Sequence, residues 1–372
     1  MVKNDKILLG GKPKYMEEYL SILNKIEDNG FVAYIVGGYV RDKLLNRESK
    51  DVDIITNATP KDLSHIFDNI LLFEEYGAVK LKLNNNLIDI TTFRIELSYK
   101  NGKPDEIVYT NSLEEDIKRR DFTINTICIN SDGKIVDIID GINDLNNKLI
   151  KTVRNASVEF NEDPSRLIRA LRFMSTLDFK LDQDIIDFIV KNKELFKLIN
   201  SSKKKEELDK LFSTKKVTKF MNFIKDYGLE EYIGIRVNEY KETSYVIGAW
   251  SQIETSDINF TKLELEQISS VRKLLNKKKI TKKDIYKNGI YISLVAADIM
   301  EIDSNIINEV YTNLPIKSIS EINISSEEIL DILKIEPGKR VGVTLKILEN
   351  LILEGKLNNT NEDIRKKLIE LR

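Results

Sequence analysis

Two aspartates separated by one residue form a candidate metal site. Asp51 and Asp53 lie in the segment DVDIIT, whose apolar residues favour a β-strand, and residues two apart on a strand project from the same face. Neighbouring carboxylates repel each other, and Mg²⁺, which prefers oxygen ligands and phosphates, relieves that repulsion. The pair therefore predicts a two-metal site that activates a hydroxyl and neutralises a phosphate leaving group. For the DxD tripeptide alone, an exposed edge strand is the simpler interpretation.

A glycine turn precedes these aspartates. Gly37 and Gly38 follow the apolar run AYIV and open a helical stretch, VRDKLL. Such a turn brings backbone amides close to a phosphate, and the helix dipole favours the anion. Arg41, one turn inside the helix, is expected to add a bidentate phosphate contact. A plain strand–turn–helix explains the glycines by themselves, and it is the aspartate pair that favours a phosphate site.

A third carboxylate lies in the strand-like segment LIDITTFR. Asp89 alternates with Ile88 and Ile90, so its side chain faces away from theirs and is expected beside the strand of Asp51 and Asp53. A third acid there would act as a metal ligand or as the general base for an attacking hydroxyl. A solvent-facing strand aspartate is an equally simple interpretation.

One arginine-rich segment has the spacing of a helix face. In EDPSRLIRALRF, Asp163, Arg166, Arg169 and Arg172 recur every three positions and so follow one flank of a helix. Asp163 can accept a hydrogen bond from an exocyclic amine, and Arg166 can donate one to a ring acceptor. Such a pair fits the Watson–Crick edges of C and A and disfavours U and G. The alternative is an amphipathic helix with a solvated arginine face.

The chain has two parts that differ in predicted secondary structure. Within residues 1–150, short apolar runs alternate with helical pieces, which predicts a small α/β or α+β domain. From Asp163 onward helical periodicity dominates, and 203–212 is interpreted as a solvated amphipathic helix. The predicted fold class is α+β: a small head with a mixed or antiparallel sheet and helices, followed by an all-helical remainder.

Composition excludes several kinds of site. The chain has a single histidine, His65, and a single cysteine, Cys128, which are too few for a Cys/His zinc site or an internal disulfide. A Ser-His-Asp triad is also excluded, because His65 has no plausible serine and aspartate partners. His65 is expected on a helix surface. No apolar run is long enough to span a bilayer and no signal peptide is evident, so a cytoplasmic location without membrane contact is expected.

Charge is distributed unevenly along the chain. The net charge is −2, but residues 1–150 hold 20 Lys/Arg against 25 Asp/Glu, a net −5, which leaves +3 for residues 151–372. An acidic first part suits metal chemistry, and a more basic remainder suits contact with RNA. The segment 272–287 has eight Lys/Arg against one Asp, and phosphate contact and plain solubility explain it equally well.

Six motifs in a fixed order carry a family resemblance. They are GGYVRD, DVD, DITTFR, RRDFTINTI, DIIDGINDL and EDPSRLIRALRF. Together they resemble the class II tRNA nucleotidyltransferases (CCA-adding enzymes) and bacterial poly(A) polymerases, which belong to the DNA polymerase β superfamily. The resemblance covers residues 30–215, and a fainter one at 336–364 looks like the family's tRNA-binding tail.

The resemblance implies roles for the first motifs. Asp51 and Asp53 match the metal ligands, and Asp89 matches the third acid. Gly38 and Arg41 match triphosphate and nucleotide-binding positions. The implied cofactor is Mg²⁺.

The later motifs complete the candidate nucleotide site. Arg120 matches a nucleotide-contacting arginine, and Asp121 and Asn125 are expected near the ribose, with a structural salt bridge as the alternative for Asp121. The resemblance implies that Asp163 and Arg166 form a protein template that selects the base. The full set of candidate nucleotide-binding residues is Gly37, Gly38, Arg41, Arg120, Asp121, Asn125, Asp163, Arg166, Arg169 and Arg172.

The resemblance also implies an activity and a division of the chain. The activity is addition of CCA to the tRNA 3′ end from CTP and ATP, with release of pyrophosphate and without a nucleic acid template. The expected parts are a catalytic head at 1–150, a base-recognising helical neck at 151–215, a helical body at 216–285 and a tRNA-binding tail at 286–372. Candidate RNA-binding residues are Lys277, Lys278, Lys279, Lys282 and Lys283.

Other interpretations stay open. A poly(A) polymerase, or a partial enzyme adding only CC or only A, would use the same chemistry. The stretch LLFEEYGAVKLKL lacks the basic-aromatic element typical of the poly(A) polymerases, and 94–116 is a candidate for the flexible loop that CC-only enzymes typically lack, with Lys103 in place of the usual arginine before the proline. A catalytically inactive RNA-binding module would have no use for three acids beside phosphates.

Overall fold

The protein is described by a computed structural model over residues 16–49, 51–68, 70–73, 77–83, 86–100, 102–277 and 279–372. These residues form two compact units. The first unit holds the described residues up to Leu211, with Lys216–Ile235 and Ser256–Ile258. The second unit holds Phe212–Lys215, Arg236–Thr255 and Asn259–Arg372.

A mixed sheet dominates the first unit. The strands of this unit are β1 (Ala33–Val36), β2 (Asp53–Thr56), β3 (Ile70–Phe73), β4 (Ala78–Leu83), β5 (Asn86–Thr92), β6 (Arg94–Lys100), β7 (Lys103–Tyr109), β8 (Cys128–Ile129), β9 (Ile135–Val136), β10 (Leu149–Ile150) and β11 (Lys180–Leu181). The main sheet has the order β3-β4-β5-β2-β1-β8-β9. Strands β2 and β5 run parallel, and the other described neighbours run antiparallel. The predicted mixed sheet is thereby confirmed.

Apolar residues cover the centre of this sheet on both faces. Successive residues of a strand point to opposite faces, and Ile54 and Ile55 of β2 are both buried. In β5, Ile88 and Ile90 are buried on one face. Asp53, the first residue of β2, is exposed, so it lies at the edge of the buried apolar region of the sheet.

Helices surround and follow the sheet. They are α1 (Met16–Glu27), α2 (Gly38–Leu44), α3 (Pro60–Ile66), α4 (Leu113–Lys118), α5 (Gly141–Asn146), α6 (Ala156–Glu162), α7 (Ser165–Leu177), α8 (Gln183–Lys191), α9 (Ser201–Phe212), α10 (Thr218–Asp226) and α11 (Glu230–Ile233). Gly30 follows the end of α1, and its φ of 87° suits a residue without a side chain. His65 lies on the exposed side of α3, as predicted.

Helix α7 carries the arginine-rich segment. Its apolar residues include Leu167, Leu171 and Met174, which are buried at helical spacing against the rest of the unit. Asp163 and Pro164 precede the helix, and Asp163 accepts hydrogen bonds at its start. Burial of the apolar face therefore fixes which flank of α7 presents its arginines.

The second unit is built mainly of helices. Its regular elements, with the short strand that leads into it, are β12 (Ile235–Arg236), α12 (Val246–Ser251), β13 (Glu254–Thr255), α13 (Lys262–Leu275), α14 (Lys282–Ile299), α15 (Ser304–Thr312), α16 (Ser326–Leu333), α17 (Lys339–Leu353) and α18 (Asn361–Glu370). Capping boxes start α13, α14 and α16 at Thr261, Thr281 and Ser325. Trp250 is buried in this unit.

The structure refines one expectation and corrects another. Within the segment 94–116, the candidate for the flexible loop, Arg94–Lys100 and Lys103–Tyr109 pair as an antiparallel hairpin, β6–β7. The stretch 203–212 does form a helix, α9, but it is not simply solvated, because Lys204 and Glu207 are buried. Within the described residues no helix is both long enough and apolar enough to cross a membrane.

Candidate active site

The strands that carry the acids lie side by side. Asp53 of β2 is the register partner of Asp89 of β5, so Asp89 has its predicted place beside the DxD strand. Asp51 precedes Asp53 by two residues and is exposed. Asp89 forms an ion pair with Lys80 of β4, with 3.0 Å between Nζ and Oδ1. Strands β2 and β5 therefore place Asp53 beside Asp89, and Asp51 lies in the segment just before β2 begins.

Asp53 is the electrostatic centre of this group. Partial burial raises the pKa of its carboxyl group, and the charges of Asp89 and Asp51 act in the same direction, whereas Arg120 opposes them. The charged form is thus disfavoured although the side chain keeps exposed surface. A cation would stabilise that charged form.

The acids fit a hard divalent cation. Carboxylate oxygens are the ligands that Mg²⁺ prefers, and it completes its sphere with water and substrate phosphates. Among the residues with described positions, no three His, Cys, Asp or Glu side chains converge as a metal cage. The fit therefore rests on the accessible pair Asp51 and Asp53, with the remaining ligands supplied by substrate or solvent.

The glycine turn lies against Asp53. Gly37 has a φ of 85° and caps the start of α2, and a Cβ atom on it would lie 3.3 Å from Oδ2 of Asp53. Gly38 begins the helix, and a Cβ atom there would lie 3.6 Å from Nη2 of Arg41. Glycine is required at position 37 because the backbone is left-handed there. The turn thus lets the backbone approach the acids closely.

Arg41 is buried and already paired. Its Nη1 donates to Oδ1 of Asn125 at 2.7 Å, and its Nε and Nη2 donate to Asp42 at 3.0 and 2.9 Å. Its guanidinium carbon lies 4.9 Å from the ring centre of Phe173. Asp42 therefore occupies Nε and Nη2 of Arg41, and Asn125 occupies Nη1. The phosphate contact of Arg41 stays a prediction.

Asp121 is held in a partly buried ion pair. Its Oδ1 accepts hydrogen bonds from the Phe122 amide at 2.7 Å and from Asn125 at 3.0 Å. Its Oδ2 lies 2.6 Å from Nε of Arg169. Burial acts to raise the pKa of Asp121, but the charges of Arg169 and Arg166 outweigh it and hold the pKa below its ordinary value. The salt-bridge alternative considered for Asp121 is thus present, with Arg169 as its partner.

Arg120 and its neighbour Arg119 share one buried acid. Asp116 of α4 is fully buried; its Oδ2 lies 3.3 Å from Nη2 of Arg120, and its Oδ1 accepts a 2.8 Å hydrogen bond from Nε of Arg119. Arg119 also reaches Glu96 of the β6–β7 hairpin, at 3.4 Å. Sequence reasoning gave Arg119 no role, although it stands in the same motif as Arg120.

A cavity of about 470 Å³ brings much of the predicted nucleotide site together. Its lining residues are Gly102, Pro104, Arg119, Arg120, Asp121, Asp163, Ser165, Arg166, Arg169, Lys203 and Glu207. They come from the hairpin turn, the RRD motif, the start of α7 and helix α9. The lining does not include the three acids, the glycine turn, Arg41, Asn125 or Arg172. The acids therefore lie outside this lining, and the cavity is called the base-side cavity after the role predicted for Asp163 and Arg166.

Asp163 and Arg166 lie side by side in the lining of this cavity. Oδ1 of Asp163 accepts hydrogen bonds from the amide and hydroxyl of Ser165, at 3.0 and 2.6 Å. Oδ2 lies 3.9 Å from Nε of Arg166, too far for a hydrogen bond. Burial raises the pKa of Asp163, and the Ser165 hydrogen bonds oppose that shift. An acceptor and a donor are thus left side by side.

Helix α9 supplies a residue that sequence reasoning missed. Oε2 of Glu207 accepts a 2.6 Å hydrogen bond from Nε of Arg172, and its Oε1 lies 4.0 Å from Nη1 of Arg169. Glu207 stands beside the buried Leu208 and at helical spacing from the buried Leu211. A charged side chain on an apolar helix face requires a partner of opposite charge. The position of Glu207 among buried leucines is therefore the sequence signal that could have identified it as a paired acid.

The predicted lysine cluster lies in the second unit. Lys277 pairs with Asp284, and Lys283 donates a 2.9 Å hydrogen bond to Asn350. Lys279 and Lys282 are exposed. Lys278 lies outside the described residues. The cluster is therefore accessible in part, and its contact with RNA stays a prediction.

Two family models match the chain. Residues 33–151 match the Poly A polymerase head domain, and residues 257–368 match tRNA nucleotidyltransferase domain 2 (putative). The CCA-adding enzyme of Ligilactobacillus salivarius is 34% identical and aligns with 96% of this chain and 98% of its own length. That of Bacillus licheniformis is 30% identical, with 94% and 96% covered.

Solved structures show the same fold. The CCA-adding enzyme of Bacillus stearothermophilus in complex with CTP has a TM-score of 0.82 at 24% identity and covers 97% of this chain and 98% of its own. The Thermotoga maritima CCA-adding enzyme, complexed with tRNA-CCA, has a TM-score of 0.66 at 18% identity, with 97% of this chain and 96% of its own covered.

The fold and the site together define a nucleotidyltransferase: a head with in-register acids beside a glycine turn, followed by helices. The chain belongs to the family of CCA-adding enzymes. Membership implies use of a divalent metal ion, and this agrees with the carboxylates found at Asp51 and Asp53.

Proposed function

We propose that this protein extends the 3′ end of tRNA with CCA, taking CTP and ATP and releasing pyrophosphate, and that it acts in the cytoplasm. The observation that carries the proposal is the pair Asp163 and Arg166, whose acceptor and donor atoms lie 3.9 Å apart in the cavity that is also lined by the RRD motif. The lone thiol of Cys128 is buried and suits a reducing compartment.

The Asp163–Arg166 pair selects the base by hydrogen-bond order. Cytosine and adenine both present an exocyclic amine beside a ring nitrogen acceptor. Asp163 accepts from the amine and Arg166 donates to the ring nitrogen. Uracil and guanine present these groups in the reverse order and leave both protein groups unpaired, which is costly in a partly buried site.

Asp51 and Asp53 hold the metal in this proposal, with Mg²⁺ the ion that their oxygen donors suit best. When bound, the ion activates the primer hydroxyl and neutralises charge on the leaving pyrophosphate. Asp89, in register with Asp53, accepts the proton of the attacking hydroxyl or completes the ligand set.

The other candidate residues orient the nucleotide. Gly37 and Gly38 present backbone amides to the triphosphate beside Asp53. Arg120 lies close enough to stabilise the Asp53 charge and contacts the nucleotide from the same side. Asp121 and Asn125, joined by a 3.0 Å hydrogen bond, lie on the ribose side. The paired arginines Arg41, Arg169 and Arg172 keep this surface positive and fixed.

The second unit is proposed to bind the tRNA. An enzyme that serves every tRNA must recognise backbone and shape, because an A-form helix hides its base edges. Exposed Lys279 and Lys282, with Lys277, Lys278 and Lys283, are candidate phosphate contacts, and residues 336–364 supply a second surface.

A partial enzyme or a poly(A) polymerase is the competing function. The hairpin β6–β7 supports full CCA addition, because its turn residue Gly102 reaches Asp163: a Cβ atom on Gly102 would lie 2.9 Å from Oδ1. CC-only enzymes are expected to lack this element. The chain also lacks the basic-aromatic element of poly(A) polymerases after β2.

The proposal is tested with tRNA that ends at the discriminator base. The tRNA is incubated with each nucleoside triphosphate alone and with CTP and ATP together, and the products are resolved to the nucleotide. Two additions with CTP and a third with ATP are expected. Termination after CC, or a long adenosine run, would replace the proposal with one of its competitors.

A further inference from the structure

Arg166 is held by a buried acid that no motif includes. Glu159 lies in α6, four residues before Asp163, and its side chain is fully buried. Oε2 of Glu159 forms an ion pair with Nη1 of Arg166, and Oε1 accepts a 2.6 Å hydrogen bond from Nε of Arg154. The carboxylate is therefore bound by two guanidinium groups.

Glu159 touches both halves of the base-reading pair. Besides the ion pair with Arg166, its carbonyl oxygen accepts the amide hydrogen bond of Asp163, at 3.1 Å. Arg166 is held at a second point as well, because its Nη2 donates to the carbonyl of Arg119 at 2.9 Å. Both terminal nitrogens of Arg166 thus have protein partners, and Nε is the group that faces Asp163.

We propose that Glu159 is a positioning residue that fixes the order of donor and acceptor presented by Arg166 and Asp163, and so sets the preference for C and A over U and G. The inference rests on the proposed base-reading function of those two residues. If the two side chains were mobile, the Asp163 acceptor and the Arg166 donor could exchange places. The reversed order of acceptor and donor would then match uracil or guanine. The anchored pair cannot make that exchange.

Charge and burial explain why Glu159 holds Arg166 in a fixed position. A buried carboxylate that loses one of its partners is left with uncompensated charge, which opposes any movement of Arg166 away from Glu159. Fixing an arginine before the base arrives also removes the entropy cost of ordering it at binding. Asp163 is fixed in parallel by Ser165.

The test is a double-mutant cycle with Glu159→Gln, Arg166→Ala and the combined variant. The measured quantity is the ratio of kcat/KM for CTP to that for UTP, and for ATP to that for GTP. Glu159→Gln is expected to lower each ratio about tenfold, the effect of roughly one hydrogen bond to a charged group. In the Arg166→Ala background it is expected to lower the ratios no further, because its effect acts through Arg166.

Glu162→Gln is the matched control. Glu162 lies on the same helix and binds Arg154 at 3.1 Å, but its described contacts do not include Arg166. Its replacement is expected to keep the nucleotide ratios. If Glu159→Gln fails to fold, Glu159→Asp retains the charge but withdraws it by one methylene, and a smaller loss of preference is expected from it.

The outcomes separate the two hypotheses. Unchanged ratios in Glu159→Gln, or an equal additional loss in the Arg166→Ala background, would overturn the positioning role. Unchanged ratios in Arg166→Ala itself would instead overturn the base-reading function on which the inference rests.

Discussion

Single residues of this site fall into two electrostatic groups. Asp121, Arg166 and Arg169 have partners before any ligand arrives, whereas Asp51 and Asp53 keep exposed surface and repel each other. Paired groups stabilise the fold, and unpaired acids of like charge destabilise it. Replacement of the two kinds should therefore have opposite effects on stability.

Replacement of Asp53 by Asn is expected to abolish nucleotide addition, a loss of roughly three orders of magnitude or more in rate, because it removes a metal ligand. The thermal midpoint should stay the same or rise, since the repulsion with Asp51 and Asp89 disappears. Incorporation of labelled CTP and thermal unfolding measure the two effects. The control is Asp132→Asn, at an exposed site paired with Lys134. Near-normal incorporation by Asp53→Asn would refute the metal assignment.

Replacement of Asp163 by Ala is expected to relax base selection. The preference for CTP over UTP should fall by about tenfold or more, since an acceptor for the exocyclic amine is lost. Stability should also fall by about 1 kcal/mol, because Asp163 accepts from the first turn of α7. Relative kcat/KM values for the four triphosphates measure the selectivity.

Asp182→Ala is the matched control for the lost cap. Asp182 accepts from the Asp184 amide at the start of α8 at 3.0 Å and does not line the base-side cavity. A similar loss of stability with full selectivity is expected. Equal loss of activity with all four nucleotides in Asp163→Ala would make Asp163 a structural cap only.

At the scale of elements, the hairpin β6–β7 and helix α4 meet at the RRD motif. The Glu96 side chain of β6 and the Asp116 side chain of α4 both bind Arg119. The turn of the hairpin reaches Asp163 at Gly102. The position of the hairpin is therefore coupled to the site by charge at its base and by close packing at its tip.

Gly102→Ala is expected to reduce nucleotide addition several-fold with both CTP and ATP. The backbone there is left-handed, with φ 71°, and an added Cβ atom would lie 2.9 Å from Oδ1 of Asp163. Gly133→Ala is the control, because Gly133 has a similar φ of 75° but only a 3.7 Å contact with Leu20. Both variants should lose about 1 kcal/mol of stability, and only Gly102→Ala should lose activity. Equal kinetics of the two variants would contradict the coupling.

The buried acid of α4 predicts a pH dependence of stability. Burial acts to raise the pKa of Asp116, but Arg119 and Arg120 hold it below its ordinary value. The stabilisation is therefore complete above the unfolded-state pKa of about 4 and is lost as the pH falls through the lower folded-state value. Asp116→Asn should cost about 3 kcal/mol near pH 7, with a difference from wild type that narrows below pH 4. Urea unfolding at several pH values measures the free energy of unfolding of wild type and variant, with Asp226→Asn at an exposed site as the control. A difference between wild type and Asp116→Asn that stays constant with pH would contradict the stabilising role of the Asp116 ion pairs.

At the scale of the whole molecule, chemistry and substrate contact are assigned to different units. The acids and the base-side cavity lie in the first unit, and the lysine cluster lies in the second. Substitution in the cluster should accordingly change binding of tRNA and leave binding of nucleotide unchanged.

Neutralisation of Lys279, Lys282 and Lys283 to Gln is expected to weaken tRNA binding and flatten its salt dependence. Each true phosphate contact removes roughly 0.7–0.9 from the slope of log affinity against log salt. Filter binding at several salt concentrations measures the slope, and CTP affinity should not change. A charge-matched control replaces three exposed lysines of the first unit, Lys61, Lys134 and Lys191. An unaltered slope would make the cluster a solubility surface.

The sequence by itself determined the local features. The alternation of Asp89 with apolar neighbours predicted its face and its place beside Asp53, and the glycine turn and the arginine helix were identified from spacing. These features succeed because strand and helix periods act over a few residues. The division into 1–150, 151–215, 216–285 and 286–372 stays a prediction.

The tertiary structure alone decided which charges are partners. Glu159 and Arg166 are close in sequence, but Glu207 with Arg172, Asp121 with Arg169 and Glu96 with Arg119 depend on how helices and strands pack. A run of charged residues looks the same whether it faces water or the core, as helix α9 shows. Pairing of buried charges is set by packing at a distance in sequence, and no local period records it.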